Sequence, residues 1–209
     1  MSVETVAKMI QWLGHDAMRI NAGPVIYIDP YELPGGPPAD IILITHEHYD
    51  HCSPQDVKKI QGPGTVIVTE KDSAKKLSGK VTVVAPGDTV TVSGVTVQAV
   101  PAYNLNKKYH PRKKNWLGFI LDIQGVRIYH AGDTDFIPEM AGFKADIALL
   151  PVSGTYVMTA QEAVQAALAM GPSLAVPMHY GSLVGSVGDA VAFQKGLEGK
   201  VQVAILKKN

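Results

Sequence analysis

The stretch Thr45-His46-Glu47-His48-Tyr49-Asp50-His51-Cys52-Ser53 places three of the chain's seven histidines within six residues, together with two carboxylates. Neutral imidazole and carboxylate are good ligands for zinc and similar divalent ions. Side chains alternate along a near-extended chain, so His46, His48 and Asp50 project to one side. His51 breaks the alternation and points to a neighbouring position. The spacing therefore offers two ligand groups, His46 with His48 and Asp50 with His51, to two adjacent ions. The plain alternative is a polar loop of solvated histidines. Against it stands the apolar run Ile41-Ile42-Leu43-Ile44 directly upstream, because strand ends in α/β folds are where sites are commonly built. The thermolysin-like HExxH pattern is absent, since His46-Glu47-His48-Tyr49-Asp50 lacks the helical i,i+4 histidines.

Short apolar runs bounded by turn signals must position this cluster. WLGHDAMRI (12–20), VIYID (25–29), IILIT (41–45), TVIVT (65–69) and VTVVA (81–85) predict strands. TVTVSGVTVQAV (89–100) alternates by twos around Ser93-Gly94, a hairpin signature, and WLGFILDIQGVRIYHA (116–131) does the same around Gln124-Gly125. DIALLPV (146–152), LAVPM (174–178) and VQVAIL (201–206) predict buried strands. Ser53-Pro54-Gln55-Asp56 is a capped helix start with proline at the first helical position. Thr159-Ala160-Gln161-Glu162 is a capping box opening AVQAALAM, which Gly171-Pro172 stops. Residues 71–77 and 189–199 predict two further helices. The main basic segment, KKYHPRKKN (107–115), lies between hairpins and is placed to form a flap. No linker, low-complexity tract or repeat cuts the chain, so one domain over residues 1–209 is expected, with two mixed sheets face to face and helices outside.

The composition narrows the function classes. With 46% hydrophobic and 18% charged residues the chain is globular and long enough for a substantial core. Lysine plus arginine balances aspartate plus glutamate, 19 against 19, so no net basic excess draws it to nucleic acid or an anionic membrane. A single cysteine, Cys52, excludes an intrachain disulfide and fits a reducing compartment. It reads as a small buried residue, not a nucleophile. No apolar run approaches the roughly 20 residues of a membrane span. The opening MSVETVAKMIQWLG does not read as a secretory signal. A cytoplasmic location with no membrane partner is expected, and nothing in the sequence specifies an oligomeric state.

THEHYDHCS resembles the HxHxDH signature of the metallo-β-lactamase superfamily, and further matches follow in the expected order. YHAGDTD closes a hairpin strand, VPMHYG follows a late strand, and the opening WLGHDAMRI is similar to the start of the small-hydrolase branch that includes the ascorbate-phosphate-lactonase-like proteins. The resemblance spans nearly the whole chain. It implies a four-layer αββα sandwich of two mixed sheets, a dinuclear metal site on one edge, and hydrolysis. It also implies roles. Asp133 would bridge two divalent ions, probed first as zinc, with manganese, iron or nickel also compatible with the donor set. His46 and His48 would hold the first ion; Asp50, His51 and His179 would hold the second. Asp50 would also orient the nucleophilic water and accept its proton, which makes it the catalytic candidate.

One histidine is out of place. The superfamily supplies another just after a mid-chain strand, but here TVQAV runs into Pro101-Ala102-Tyr103-Asn104. His110, six residues later and alone of its type in the segment, is expected to reach back and complete the first ion's set. Asn104 or water is the alternative there. His15, Asn104 and Tyr180 are the substrate-side candidates; a core position for His15 and a packing role for Tyr180 are the bland readings. His130 alternates away from Asp133 and is expected to pack behind the site.

The first functional reading is a metal-dependent hydrolase acting on a small ester, lactone or phosphoester. A phosphodiesterase or nuclease of the same superfamily is the alternative, with LNKKYHPRKK (105–114) as a phosphate-contacting flap and the neutral total charge against it. A redox role like that of the flavodiiron proteins is opposed by His48, where those proteins carry glutamate. A non-catalytic metal-binding role is the general alternative.

Overall fold

The computed structural model describes all 209 residues. A short helix, α1 (Val3–Ala7), leads into a six-stranded sheet of β1 (Ile10–Gly14), β2 (Ala17–Asn21), β3 (Val25–Ile28), β4 (Ala39–Ile44), β5 (Gln61–Thr69) and β6 (Lys80–Val83), laid side by side in chain order. β1 to β3 are antiparallel and β3 to β6 parallel. A seven-stranded sheet follows: β7 (Thr89–Val92), β8 (Val95–Pro101), β9 (Leu117–Ile123), β10 (Val126–His130), β11 (Ile147–Pro151), β12 (Leu174–Met178) and β13 (Gln202–Val203), again in sequential order. It repeats the plan, antiparallel through β10 and parallel from β10 to β13. The remaining helices are α2 (Pro54–Ile60), α3 (Lys71–Ala74), α4 (Ala160–Met170) and α5 (Val187–Leu197).

Side-chain alternation explains why IILI is apolar at every position. Ile41 and Leu43 face the core between the sheets, while Ile42 and Ile44 pack against Val57 and Ile60 of α2. Each such burial contributes roughly 1.5–3 kcal/mol. On the far sheet, Ala163, Ala167 and Phe193 seat α4 and α5 over the parallel strands. The result is the four-layer αββα sandwich with both parallel halves buried on two faces.

The two predicted hairpins carry their turn chemistry. Ser93 and Gly94 have φ of 49° and 79°, and Gln124 and Gly125 have 52° and 85°, as a type I′ turn requires at both central positions. Other readings need correction. WLGHDAMRI is not one strand: Gly14 and His15 (φ 114° and 51°) turn the chain, and β1 pairs back on β2. Only Gln202–Val203 of VQVAIL joins the ladder. The helix read over 71–77 closes after Ala74, and α5 begins at Val187, where Asp189 accepts the Ser186 N–H at 2.7 Å. α1 was not anticipated; Ser2 caps it.

All the strand ends that matter meet along one edge. There β10 delivers Ala131-Gly132-Asp133 through a tight bend. Gly132 has φ of 60°, and a Cβ on it would lie 2.8 Å from the Leu117 carbonyl oxygen and 3.0 Å from the Thr45 Cβ. His130 clips the same bend, its Nε2 donating to the Asp16 carbonyl (2.9 Å) and its Nδ1 accepting from the Gly132 N–H (3.2 Å). Gly132→Ala is therefore expected to cost about 2 kcal/mol or more. Chemical denaturation measures it; a variant as stable as the parent contradicts the strain.

Candidate metal centre

The segment after β4 does not stay extended. The N–H groups of His51 and Cys52 both donate to the His48 carbonyl, at 3.1 and 2.7 Å, so the chain curls into a turn. The turn, and not simple alternation, sends the side chains to two places. His46 Nε2 and His48 Nδ1 face each other at 3.0 Å, and His110 joins them within 4.8 Å. Asp50 goes the other way, to His15 at 3.2 Å and His51 at 3.9 Å, and His179 gathers with those two rings. Asp133 stands between the groups. Its Oδ2 lies 3.1 Å from His110 Nε2, and its Oδ1 lies 3.3 Å from both His51 Nε2 and His179 Nε2.

Four of the rings, His46, His51, His110 and His179, are gripped from behind. Thr45 Oγ1 faces His46 Nδ1 at 3.0 Å while donating its own proton to Asp29 at 2.6 Å. Asp29 also accepts from His51 Nδ1 at 2.8 Å. Ser153 Oγ meets His179 Nδ1 at 2.8 Å. His110 Nδ1 reaches Asn104 Oδ1 at 3.1 Å and the Tyr156 carbonyl at 3.2 Å. With Nδ1 occupied, Nε2 of each ring turns inward. His51 Nε2, His110 Nε2, His179 Nε2 and Asp133 Oδ1 are buried and hydrogen-bond to nothing. The contacts between Asp133 and the rings are close but lack hydrogen-bonding geometry. Buried polar atoms are seldom left so. Inward-facing imidazole nitrogens around one carboxylate are the donor set a pair of divalent cations needs.

The electrostatics fit the same reading. Burial keeps His46 and His48 neutral, below the usual histidine range. Burial opposes charge on His51 and His179 too, but the Asp133 carboxylate outweighs it and pushes both up. Burial would raise Asp133 itself, yet His179 and His51 hold it well down. Protons thus sit where cations would. Cation uptake has to displace them, so it releases protons and tightens as pH rises through and above the usual histidine range. The sign is consistent with linkage: a raised histidine stabilises the metal-free fold at low pH and loses that stabilisation as pH climbs through its folded pKa. Zinc titration calorimetry in buffers of different ionisation enthalpy reads the released protons; heats independent of buffer contradict this.

Among the substrate-side candidates, His15 lines the cavity above the cluster, together with Asp50. It lies in the β1–β2 turn, and its Nε2 approaches Asp50 Oδ2 at 3.2 Å. Burial would raise the Asp50 carboxyl, but the His15 hydrogen bond and the His51 charge bring it to about 2. Asn104 is a correction. It does not line the cavity: its amide donates to Asp135 (3.1 Å) and the Tyr156 carbonyl (2.9 Å), and its Oδ1 accepts from the His110 N–H (3.0 Å). It holds His110 instead. Tyr180 is also absent from the cavity wall, stacked on Trp12 with ring centroids 4.8 Å apart. Cys52 is buried, and burial pushes its thiol up to about 11.

Four supporting residues escaped the sequence reading: Asp16, Asp29, Ser153 and, through its carbonyl, Tyr156. Asp29 had a signal, since it directly follows β3, the parallel neighbour of the strand that delivers His46. Asp16 had none. Both its oxygens are buried and unpartnered, and burial pushes its carboxyl up to about 8. His110→Ala is expected to weaken one ion by about 10–100-fold more than the other and to loosen the 104–110 loop. Metal titration with hydrogen exchange reads both; equal losses at the two ions contradict it.

The cavity holds about 420 Å³. No helix is long and apolar enough to cross a membrane. Residues 9–179 match the family described as the beta-lactamase superfamily domain. A UPF0173 metal-dependent hydrolase of Pyrococcus abyssi (strain GE5 / Orsay) is 34% identical over 216 residues, covering 95% of this chain and 96% of its own. One from Thermoplasma acidophilum is 35% identical over 188 residues, 82% of each chain. A crystal structure of a protein from Parabacteroides distasonis ATCC 8503 superposes with a TM-score of 0.84 at 38% identity, over 95% of this chain and 93% of that one.

Proposed function

Because this chain belongs to the metallo-β-lactamase superfamily, among its UPF0173 metal-dependent hydrolases, we propose that it uses two divalent ions to hydrolyse a small ester, lactone or phosphoester. The observation that carries the reading is the ring of inward-facing, unpartnered donors divided by Asp133. His46, His48 and His110 would hold one ion, Asp50, His51 and His179 the other, with Asp133 shared. When bound, such ions lower the pKa of water toward about 7 and polarise the scissile carbonyl or phosphoryl. Zinc is the first choice; manganese, iron and nickel suit the same donors.

The chain's own contribution is orientation and proton handling. Asp50 lines the cavity with its carboxylate held ionised, so it is free to accept a proton from attacking water at neutral pH. His15, driven neutral by burial, donates Nε2–H to Asp50 and fixes the direction of that carboxylate. The His15 carbonyl in turn accepts the His179 N–H at 3.1 Å and the Trp12 indole N–H at 2.8 Å, tying the two sheets together beneath the site. His15, Asp29 and His179 all hold positive φ, strain that concentrates at this edge.

The test is hydrolysis by purified protein, loaded with zinc or manganese, against a panel of esters, lactones and phosphoesters. Turnover should vanish on chelation and return with metal. A folded, fully loaded protein that cleaves none of them, or one equally active after chelation, overturns the reading.

A further inference from the structure

The cavity has a polar floor and an apolar wall. His15, His48, Asp50, His110, Asp133 and His179 form the floor; Tyr49, Tyr109, Tyr156, Leu183 and Val184 form the wall. No lysine or arginine lines it. Tyr49, Tyr109 and Leu183 are 66%, 43% and 42% exposed, and they are three of only eight large hydrophobic residues so exposed on the whole chain. Apolar groups left open around one mouth mark a binding surface. Two of the rings are braced edge-on by further tyrosines, Tyr109 by Tyr156 at 4.7 Å and Tyr49 by Tyr31 at 5.9 Å.

The basic loop adds no cation to the wall. Of its five cations none lines the cavity: Lys107 is drawn to Asp135, Arg112 to Glu139 and Lys114 to Glu47 and Asp72, while Lys108 and Lys113 are exposed outside it. For a phosphate the ions of the floor would be the only positive charge, with no arginine or lysine on the wall to hold the oxygens they leave free. Flat apolar groups need what this wall offers, rigid aromatic faces beside aliphatic side chains.

From this wall we infer that the site takes an uncharged ester or lactone bearing a flat aromatic group, gripped by Tyr49, Tyr109 and Leu183. This rests on the hydrolase reading above. The reaction consumes one water. Its oxygen bonds to the acyl carbon, the acyl C–O bond breaks, the leaving oxygen departs as the hydroxyl after taking a proton, and the acid is released as carboxylate and a proton.

The experiment compares dihydrocoumarin, γ-butyrolactone and bis(4-nitrophenyl) phosphate on the zinc-loaded full chain, and measures inhibition or binding of 2-tetralone, the non-hydrolysable ketone counterpart of dihydrocoumarin. Dihydrocoumarin should exceed the phosphodiester in kcat/KM by at least about 100-fold. Leu183→Ala and Tyr109→Ala should each raise its KM about 10-fold and lower its kcat/KM relative to that of γ-butyrolactone. Leu183→Lys, which adds the absent cation, should move preference toward the phosphodiester. A parent enzyme that prefers the phosphodiester overturns the inference and leaves the hydrolase reading standing. If no substrate is cleaved, the hydrolase reading fails, and 2-tetralone still decides the pocket. Binding that weakens in Tyr109→Ala supports the wall's preference; binding that is absent, or indifferent to Tyr109 and Leu183, overturns it.

Discussion

Asp133→Asn is expected to abolish high-affinity uptake of both ions and to lower kcat/KM by at least about 1,000-fold, beyond the 10–100-fold typical of a partner behind a ligand. The size follows from its position. Asp133 alone among the carboxylates approaches both donor groups, His110 through Oδ2 and His51 with His179 through Oδ1. The side chain is almost fully buried, so water cannot take over its charge. Asparagine keeps the shape, and the Gly132 bend that delivers it is untouched. The loss should therefore appear in metal content and rate while the circular dichroism of the fold persists. A second effect accompanies it in the metal-free protein. The Asp133 charge is what pushes His51 and His179 up, so both should titrate lower in the variant. An asparagine variant that retains two tight ions and most of its activity contradicts the shared role.

Asp50→Ala is expected to cost at least about 100-fold in rate, within the range for a positioned proton acceptor. Its fold should hold, because Asp50 is half-buried and its one hydrogen-bonded partner is His15. The variant should keep the ion of His46, His48 and His110, which Asp50 does not touch, and should weaken the other. Metal analysis beside steady-state kinetics separates the two losses. A well-folded, fully loaded Asp50→Ala enzyme close to parental activity removes Asp50 from the mechanism.

The architecture was legible because it is local. Period-two alternation and paired turn residues with positive φ marked the hairpins about Gly94 and Gly125, and continuous apolar runs marked the parallel strands. The matching motifs then implied one edge for His46, His51, Asp133 and His179, and those residues meet there. Failures came where tertiary contacts decide. Little in the local sequence says that His15 adopts left-handed backbone and splits WLGHDAMRI; the Trp12 indole that reaches its carbonyl is local, but the His179 N–H comes from the other sheet. Asn104 looked like a substrate contact because it occupies the place of a missing histidine. Its real partners, Asp135, Tyr156 and His110, are up to 52 residues away. Asp29 supports Thr45 and His51 through the pairing of β3 with β4 in one sheet, whereas the Asp16 carbonyl meets His130 only because the two sheets pack.

Whether two ions share Asp133 is read by anomalous diffraction at the zinc edge from crystals of the zinc-loaded protein. Two peaks should flank the Asp133 carboxylate, one held by His46, His48 and His110, the other by Asp50, His51 and His179. A single well-occupied peak with no ligand from Asp50 or His179, or a His110 ring turned to solvent away from both ions, would contradict that sharing.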